Sequence, residues 1–313
     1  MTTPYTLHFN VSDIKETTLD TKSLSKWSNY PLYFSQSNHF YYTKNFEILR
    51  QIFNYKPFFV DLVEIHTEKP LDFMFEIHNK QLFMFFMLKG QMNFYDNSHR
   101  MIVQPLENNF LMSYYNSNFY HVEVNKGSHI ALVITIHPEW LEKVSLEYKN
   151  IYRILTEFNQ GSNPYQALYQ GKIDRNIHRN LRKVYSSPKQ DFCIFDGVLR
   201  MNMATMLKHY DKLLDNYWLA IDIRNFIIKH LTDENLGLDM LCDCLRLSKR
   251  VLRYQFNHTF GQNIITYVHE KRIELAKEIM QNKQYNITDI YFKVGYKDES
   301  TFRYHYNRFN STK

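Results

Sequence analysis

Residues 245–257 read Leu245-Arg246-Leu247-Ser248-Lys249-Arg250-Val251-Leu252-Arg253-Tyr254-Gln255-Phe256-Asn257, and this stretch decides the fold of the C-terminal third. Ser248 is a good N-cap for a helix over 249–259. Leu252, Phe256 and Phe260 recur every four residues and form one inward face, which leaves Lys249, Arg250, Arg253, Tyr254 and Asn257 outside. The preceding segment 238–245 also reads as a helix, so Leu245 to Ser248 is a turn about three residues long between two helices, the spacing of a helix-turn-helix. Ser248, Lys249, Arg250, Arg253, Tyr254 and Asn257 are the expected DNA-contacting residues. Arg offers two hydrogen bonds to a guanine edge, Asn pairs with an adenine edge, and Lys neutralises phosphate.

Working outward, residues 264–281 carry Ile264, Ile265, Val268, Arg272, Leu275, Ala276 and Ile279 on one expected face of a long connecting helix. The arrangement then repeats. Asn286-Ile287-Thr288-Asp289 offers a cap for a helix over 287–293, Val294-Gly295-Tyr296-Lys297 makes a turn, and Asp298 caps a helix over 299–309. Phe302 and Tyr306 should face inward, exposing Glu299, Ser300, Arg303, Tyr304 and Asn307 as a second set of readers. With 221–231 upstream, six helical segments result. Any small three-helix cluster shows an apolar stripe opposite a charged face, so one such unit is weak grounds for DNA binding; two in tandem favour it.

Toward the N-terminus the period changes. Leu71, Phe73, Phe75 and Ile77 alternate with Asp72, Glu76 and His78, as in a half-buried strand. Short strands are expected from Phe58 to Ile136, among them 82–88, 92–95, 110–115, 119–124 and 130–136, separated by turn residues, the pattern of a small barrel or sandwich. After His137-Pro138-Glu139 the expectation is helical throughout: Ile173, Ile177, Leu181 and Val184 line one face, Ser186 to Gln190 is a loop, and Cys193 to Asp215 is a longer helix. The class is therefore α+β, divided into a strand-rich domain over 1–140, a helical linker over 141–216 and an all-α domain over 217–313 with two helix-turn-helix units.

Bulk properties narrow the function. The 313 residues are 44% apolar and 22% charged, enough for two cores. Residues 221–313 hold 15 Lys/Arg against 11 Asp/Glu, while residues 1–220 hold 23 against 21, so the basic excess is concentrated at the C-terminal end, as suits a polyanionic partner. No apolar run has membrane-spanning length, and the stretch beginning Met-Thr-Thr-Pro-Tyr has no basic segment followed by the apolar core of a secretory signal, so a cytoplasmic protein without membrane association is expected. Three cysteines, with Cys242 and Cys244 two apart on a helix, give neither a disulfide framework nor a zinc site. His66, His78, His99, His121 and His129 lack the spacing of a metal-holding barrel, and Glu64/His66 and Glu76/His78 read as solvated strand faces. With no phosphate loop, nucleophile elbow or Cys/His dyad, no catalytic residue, metal or cofactor is expected. Phe73, Phe75, Phe83, Phe85, Phe94 and Tyr95 read first as core, and alternatively as the wall of a pocket for an apolar or ring-bearing effector.

The run 248–256, Thr259-Phe260-Gly261 and Tyr267 to Met280 with Lys271-Arg272-Ile273-Glu274-Leu275-Ala276 resembles the AraC/XylS family of bacterial regulators. Ile287, Ile290, Gly295, Tyr296, Ser300 and Phe302 continue the resemblance, which covers about 80 residues. It implies two recognition helices entering successive major grooves, double-stranded DNA and RNA polymerase as partners, and activation of transcription. Residues 1–140 are similar to that family's cupin-like β-barrel sensing domains, implying a small-molecule effector, with homodimerisation left open. Cys193 to Gly197 with Leu199-Arg200 is similar to a linker of its siderophore-regulator-like branch. The chain departs from the family pattern at Arg246, where Gly is usual, and at Tyr291, where a small residue is usual. It also ends without the family's G-x-[ST]-P-x-x-Y-[RK] segment. These departures lead to the expectation of a loosened second unit. They keep open a regulator with impaired DNA binding that acts through protein contacts; a cupin metalloenzyme is the remaining alternative.

Overall fold

Two periodicities, two and then 3.6, partition the computed structural model of this chain, which describes residues 3–186, 192–281 and 287–310. The strands are β1 (Tyr5–His8), β2 (Lys15–Thr18), β3 (Ser37–Tyr42), β4 (Phe46–Tyr55), β5 (Phe58–Thr67), β6 (Leu71–Ile77), β7 (Gln81–Lys89), β8 (Asn93–Tyr95), β9 (Met101–Val103), β10 (Asn109–Tyr115), β11 (Asn118–Val124), β12 (Gly127–Ile136), β13 (Tyr165–Ala167) and β14 (Gly171–Lys172). The α-helices are α1 (Pro138–Ser145), α2 (Lys149–Gln160), α3 (Arg175–Tyr185), α4 (Phe192–Lys229), α5 (Leu238–Leu245), α6 (Lys249–Phe260), α7 (Ile264–Gln281), α8 (Ile287–Lys293) and α9 (Glu299–Asn310). The chain divides into two compact units, Met1–Leu213 and Leu214–Lys313.

In the first unit the strands form two antiparallel sheets rather than one closed barrel. One runs β1-β6-β11-β8-β9; the other runs β13-β10-β7-β12-β5-β4-β3-β2, with β14 also paired to β10. Their inner faces share a core in which Phe73, Phe75, Tyr120 and Val122 of the smaller sheet meet Ile48, Val63, Phe83, Phe85 and Leu111 of the larger. β6 shows the expected alternation, with Leu71, Phe73, Phe75 and Ile77 buried. β7 instead buries every residue from Leu82 to Leu88, because its second face is also covered. On that face Phe86 stacks on Phe110 at 5.5 Å between ring centroids, and Phe110 packs against Tyr210 at 5.4 Å.

Four strands precede the expected start at Phe58. β4 escapes a period-two reading because Arg50 and Gln51 are buried in it beside apolar neighbours. The Arg50 guanidinium donates to Asp61 Oδ2 from Nε at 3.0 Å and from Nη2 at 2.5 Å, and Gln51 Oε1 accepts from Leu32 N at 2.7 Å, so both side chains find partners inside the unit. The stretch after Pro138 is not wholly helical either, since β13 and β14 add to the edge of β10. Most of the expected loop at Ser186 to Gln190 lies outside the described residues. The helix expected over Cys193 to Asp215 continues without a break to Lys229, no Pro or Gly interrupting it after Gly197.

The second unit holds two small cores on one connecting helix. Ile223, Ile227, Leu241, Leu252, Phe256, Ile264 and Val268 form the first; Ile273, Ala276, Ile290, Val294, Tyr296 and Phe302 form the second. Thus α7 contributes its N-terminal half to one core and its C-terminal half to the other. Its buried face differs from the expected one at Ile265, which is 37% exposed, while Tyr267 and Ile273 take up buried positions.

Candidate nucleic-acid interface

In the first helix-turn-helix, α5 ends at Arg246, whose backbone is left-handed at φ 54° and ψ 41°. The following Leu247 N–H donates back to Cys242 O at 3.2 Å, and Ser248 Oγ accepts from Val251 N at 3.3 Å, starting α6. Leu252 and Phe256 are fully buried and Phe260 is part-buried, as the spacing requires. Ser248, Lys249, Arg250, Arg253, Tyr254 and Asn257 are all exposed. They differ in how far they are engaged. Lys249 Nζ pairs with Asp239 Oδ1 at 2.5 Å, which raises its pKa, and the Tyr254 ring stacks on His258 at 5.7 Å. Arg250 and Arg253 have no hydrogen-bond or ion-pair partner among the described residues, so two guanidinium forks stand ready on one face.

The second unit is built likewise, with α9 capped by Asp298, whose Oδ1 accepts from Thr301 N at 2.8 Å. The expected cap at Asn286 lies outside the described residues. Phe302 is buried and Tyr306 part-buried; Ser300, Arg303, Tyr304 and Asn307 are exposed. Glu299 departs from expectation. Its side chain is only 35% exposed because Arg303 folds over it, Nε at 2.6 Å and Nη2 at 2.5 Å from Oε1, an i,i+4 pair. The Ser300 hydroxyl donates to Asp298 Oδ1 at 2.5 Å, a bond that, with those from Thr301, holds the Asp298 carboxyl below its ordinary pKa. The arginine of the second set, Arg303, is therefore engaged within its own helix, whereas Arg250 and Arg253 of the first are not.

Arg272 supplies what spacing did not reveal. It sits on α7 at 5% exposure, donating from Nε to Leu231 O at 2.9 Å and from Nη2 to Asp233 O at 2.6 Å, with its guanidinium 5.4 Å from the Tyr296 ring. It thereby ties the α4–α5 loop of the first helix-turn-helix to the turn of the second. Gly295 makes room for it. That residue has φ 89°, and a Cβ there would lie 2.9 Å from both Arg272 Nη2 and Leu231 O. Beside it, His269 of α7 stacks face to face on His305 of α9 at 3.6 Å, and His269 Nδ1 lies 3.1 Å from the Tyr296 hydroxyl. Burial, then the facing His305, hold the His269 pKa down to about 4. Tyr291 is part-buried at the rim of the second core.

In the first unit a cavity partly open to solvent lies among Phe73, Phe75, Phe85, Met92, Phe94 and Val133. Among the described residues, the only polar residues lining it are Tyr5, Ser113 and Tyr115, and no charged residue is part of the lining. Tyr5 donates to Asp61 Oδ2 at 2.6 Å, and burial pushes the Tyr115 phenol well above its usual pKa. Of the aromatic residues read as core or as pocket wall, Phe73, Phe75, Phe83, Phe85 and Phe94 both pack in the core and line the cavity, and Tyr95 does neither. The histidines are dispersed. His66 pairs with Ser128, His78 with Thr6, and His129 with Asn125 O and Gln91 N, while His99 lies against His121. Among the described residues no group of three or more His, Cys, Asp or Glu side chains is arranged to hold a metal ion, and no helix is long and apolar enough to cross a membrane.

Residues 241–312 match the family described as "Helix-turn-helix domain". The chain is similar to the HTH-type transcriptional activator RhaR of Escherichia coli K12 and of Shigella flexneri serotype 5b, at 35% identity over 66 residues, 21% of this chain and 23% of each relative. The match thus spans less than a quarter of those relatives' length. Solved structures similar to the chain include the C-terminal domain of the response regulator yesN from Fusobacterium nucleatum (28% identity, 28% of this chain and 86% of that one, TM-score 0.28). Another is ToxT from Vibrio cholerae (16% identity, 80% and 94%, TM-score 0.34).

Proposed function

We propose that this chain, an AraC/XylS-family protein by its C-terminal domain, is a sequence-specific DNA-binding regulator of transcription. The observation that carries the reading is the pairing of two helix-turn-helix cores on α7, each displaying the polar face of its second helix. α6 and α9 are the recognition helices. Ser248, Lys249, Arg250, Arg253, Tyr254 and Asn257 read DNA from the first, and Glu299, Ser300, Arg303, Tyr304 and Asn307 from the second. The first supplies most of the base specificity, because Arg250 and Arg253 are unengaged whereas Arg303 must first give up Glu299.

In this reading residues 1–140 serve sensing or dimerisation, 141–216 form a linker that is largely helical but carries β13 and β14, and 217–313 bind DNA. RhaR is described as an activator, which supports activation and hence RNA polymerase as a second partner. The protein acts in the cytoplasm, and this reading assigns it no catalytic step. Its effector occupies the cavity of the first unit, and homodimerisation belongs to the same unit.

Selection of the full chain against random duplex pools at moderate salt tests the core of this reading. A reproducible motif is expected, and Arg253→Ala should relax preference at one position about 5- to 150-fold, the range of one good base contact, without lowering the thermal midpoint. Recovery of no motif would refute sequence-specific binding.

A further inference from the structure

α3 lies outside the recognition machinery, yet it carries the most one-sided charge of any helix in the first unit. Ile177, Leu181 and Val184 are buried at 0–1% exposure, which leaves Arg175, His178, Arg179, Arg182 and Lys183 exposed on the remaining surface. No Asp or Glu occurs between Arg175 and Ser186. The nearest carboxylate in the sequence, Asp174, caps the helix, accepting from Asn176 N and Ile177 N at 2.9 Å each. Arg175, Arg179 and Arg182 stand at i, i+4 and i+7, in one line along the helix about 10 Å long. None of the three has an ion-pair or hydrogen-bond partner for its guanidinium among the described residues. Like charges at this spacing repel one another, so the stripe is electrostatically unfavourable until an anion meets it.

We propose that this face of α3 is a sequence-independent clamp for the backbone phosphates of duplex DNA. The guanidinium fork matches phosphate oxygens two at a time, and a line of about 10 Å against one phosphate per about 3.4 Å of each strand's axis engages up to three of them. A lipid surface is the poorer fit. An amphipathic helix binds membranes by inserting its apolar face, and here that face is already buried in the unit. The clamp rests on the reading that the chain binds DNA, but it uses residues of the other unit, so the two can fail separately.

The test compares the full wild-type chain with the Arg175→Gln/Arg179→Gln/Arg182→Gln variant on the duplex recovered by selection, extended by about two helical turns on each side. The slope of log affinity against log salt should become shallower by about 2–3, at about 0.9 per phosphate, with the selected motif unchanged. The triple Arg→Lys variant should keep most of the wild-type slope, and Arg179→Gln alone should lose about one, which serves if the triple Gln variant folds poorly. Equal slopes for wild type and both Gln variants would overturn the clamp while leaving DNA binding intact. Loss of binding to phosphatidylserine vesicles with no change in slope would also overturn it, assigning the stripe to lipid. A wild-type chain that selects no motif and shows no salt-dependent DNA binding would remove both proposals.

Discussion

Arg246 illustrates how one residue can carry strain at the entrance to a functional helix. Its φ of 54° is a conformation that costs an L-residue about 1–2 kcal/mol and glycine almost nothing. The side chain is exposed on the turn, so replacing it removes no buried contact. Arg246→Gly should therefore stabilise the second unit by about 0.5–1 kcal/mol, the relieved strain less the entropy that glycine loses on folding. Urea unfolding of the full chain, followed in the helical transition, measures it; a midpoint that stays or falls would show the turn to be unstrained. If the same variant weakens DNA binding, the Arg246 guanidinium sits close enough to contribute a phosphate contact, a reason for a strained arginine to occupy a glycine position.

At the scale of the element, the packing of α9 on α7 contains a built-in acid sensitivity. Burial and the facing His305 hold His269 at about 4, and burial and Arg308 lower His305 as well, while Arg272 adds a further positive charge nearby. Both folded-state pKa values lie below the ordinary imidazole value of 6.5, so protonation favours the unfolded form. The stabilising contribution is complete above about 6.5 and is lost as pH falls toward about 4. Amide exchange in α9 should accelerate over that window before exchange in α6, and His269→Phe, which keeps a ring against His305, should blunt the change. Parallel loss in both helices would place the acid-labile group elsewhere. These elements differed in how far sequence exposed them. α6 and α9 were legible because apolar residues every four positions leave only one way to bury them, and their polar faces follow by exclusion. The Arg272 tie was not, since a guanidinium on an apolar helix face reveals nothing of the carbonyls of Leu231 and Asp233 about 40 residues earlier. β4 was hidden for the opposite reason: Arg50 and Gln51 broke the alternation, and only their hydrogen bonds, to Asp61 on the neighbouring strand and to Leu32 in the segment before β3, make them interior residues.

For the molecule as a whole, the chemistry of the first unit's cavity limits which effector the proposed sensing role admits. A buried anion without a cationic partner pays a large desolvation penalty, and no charged side chain among the described residues lines this space. The ligand that fits is uncharged and largely apolar, with aromatic walls for a ring and with Tyr5, Ser113 and Tyr115 as the polar residues of the lining. A neutral naphthylamine probe should gain fluorescence with the full chain and raise the thermal midpoint of the strand-rich unit, whereas naphthoate of the same size should bind at least about tenfold more weakly. Ala131, at 1% exposure on β12, faces the cavity, so Ala131→Leu should fill part of it and reduce probe binding while leaving the salt slope for DNA unchanged. Equal binding of amine and carboxylate would locate the probe on the surface, and undiminished binding to the Ala131→Leu variant would place it outside this cavity. Either result would remove the neutral-effector reading without touching the assignment of α6 and α9, because the two rest on different residues in different units.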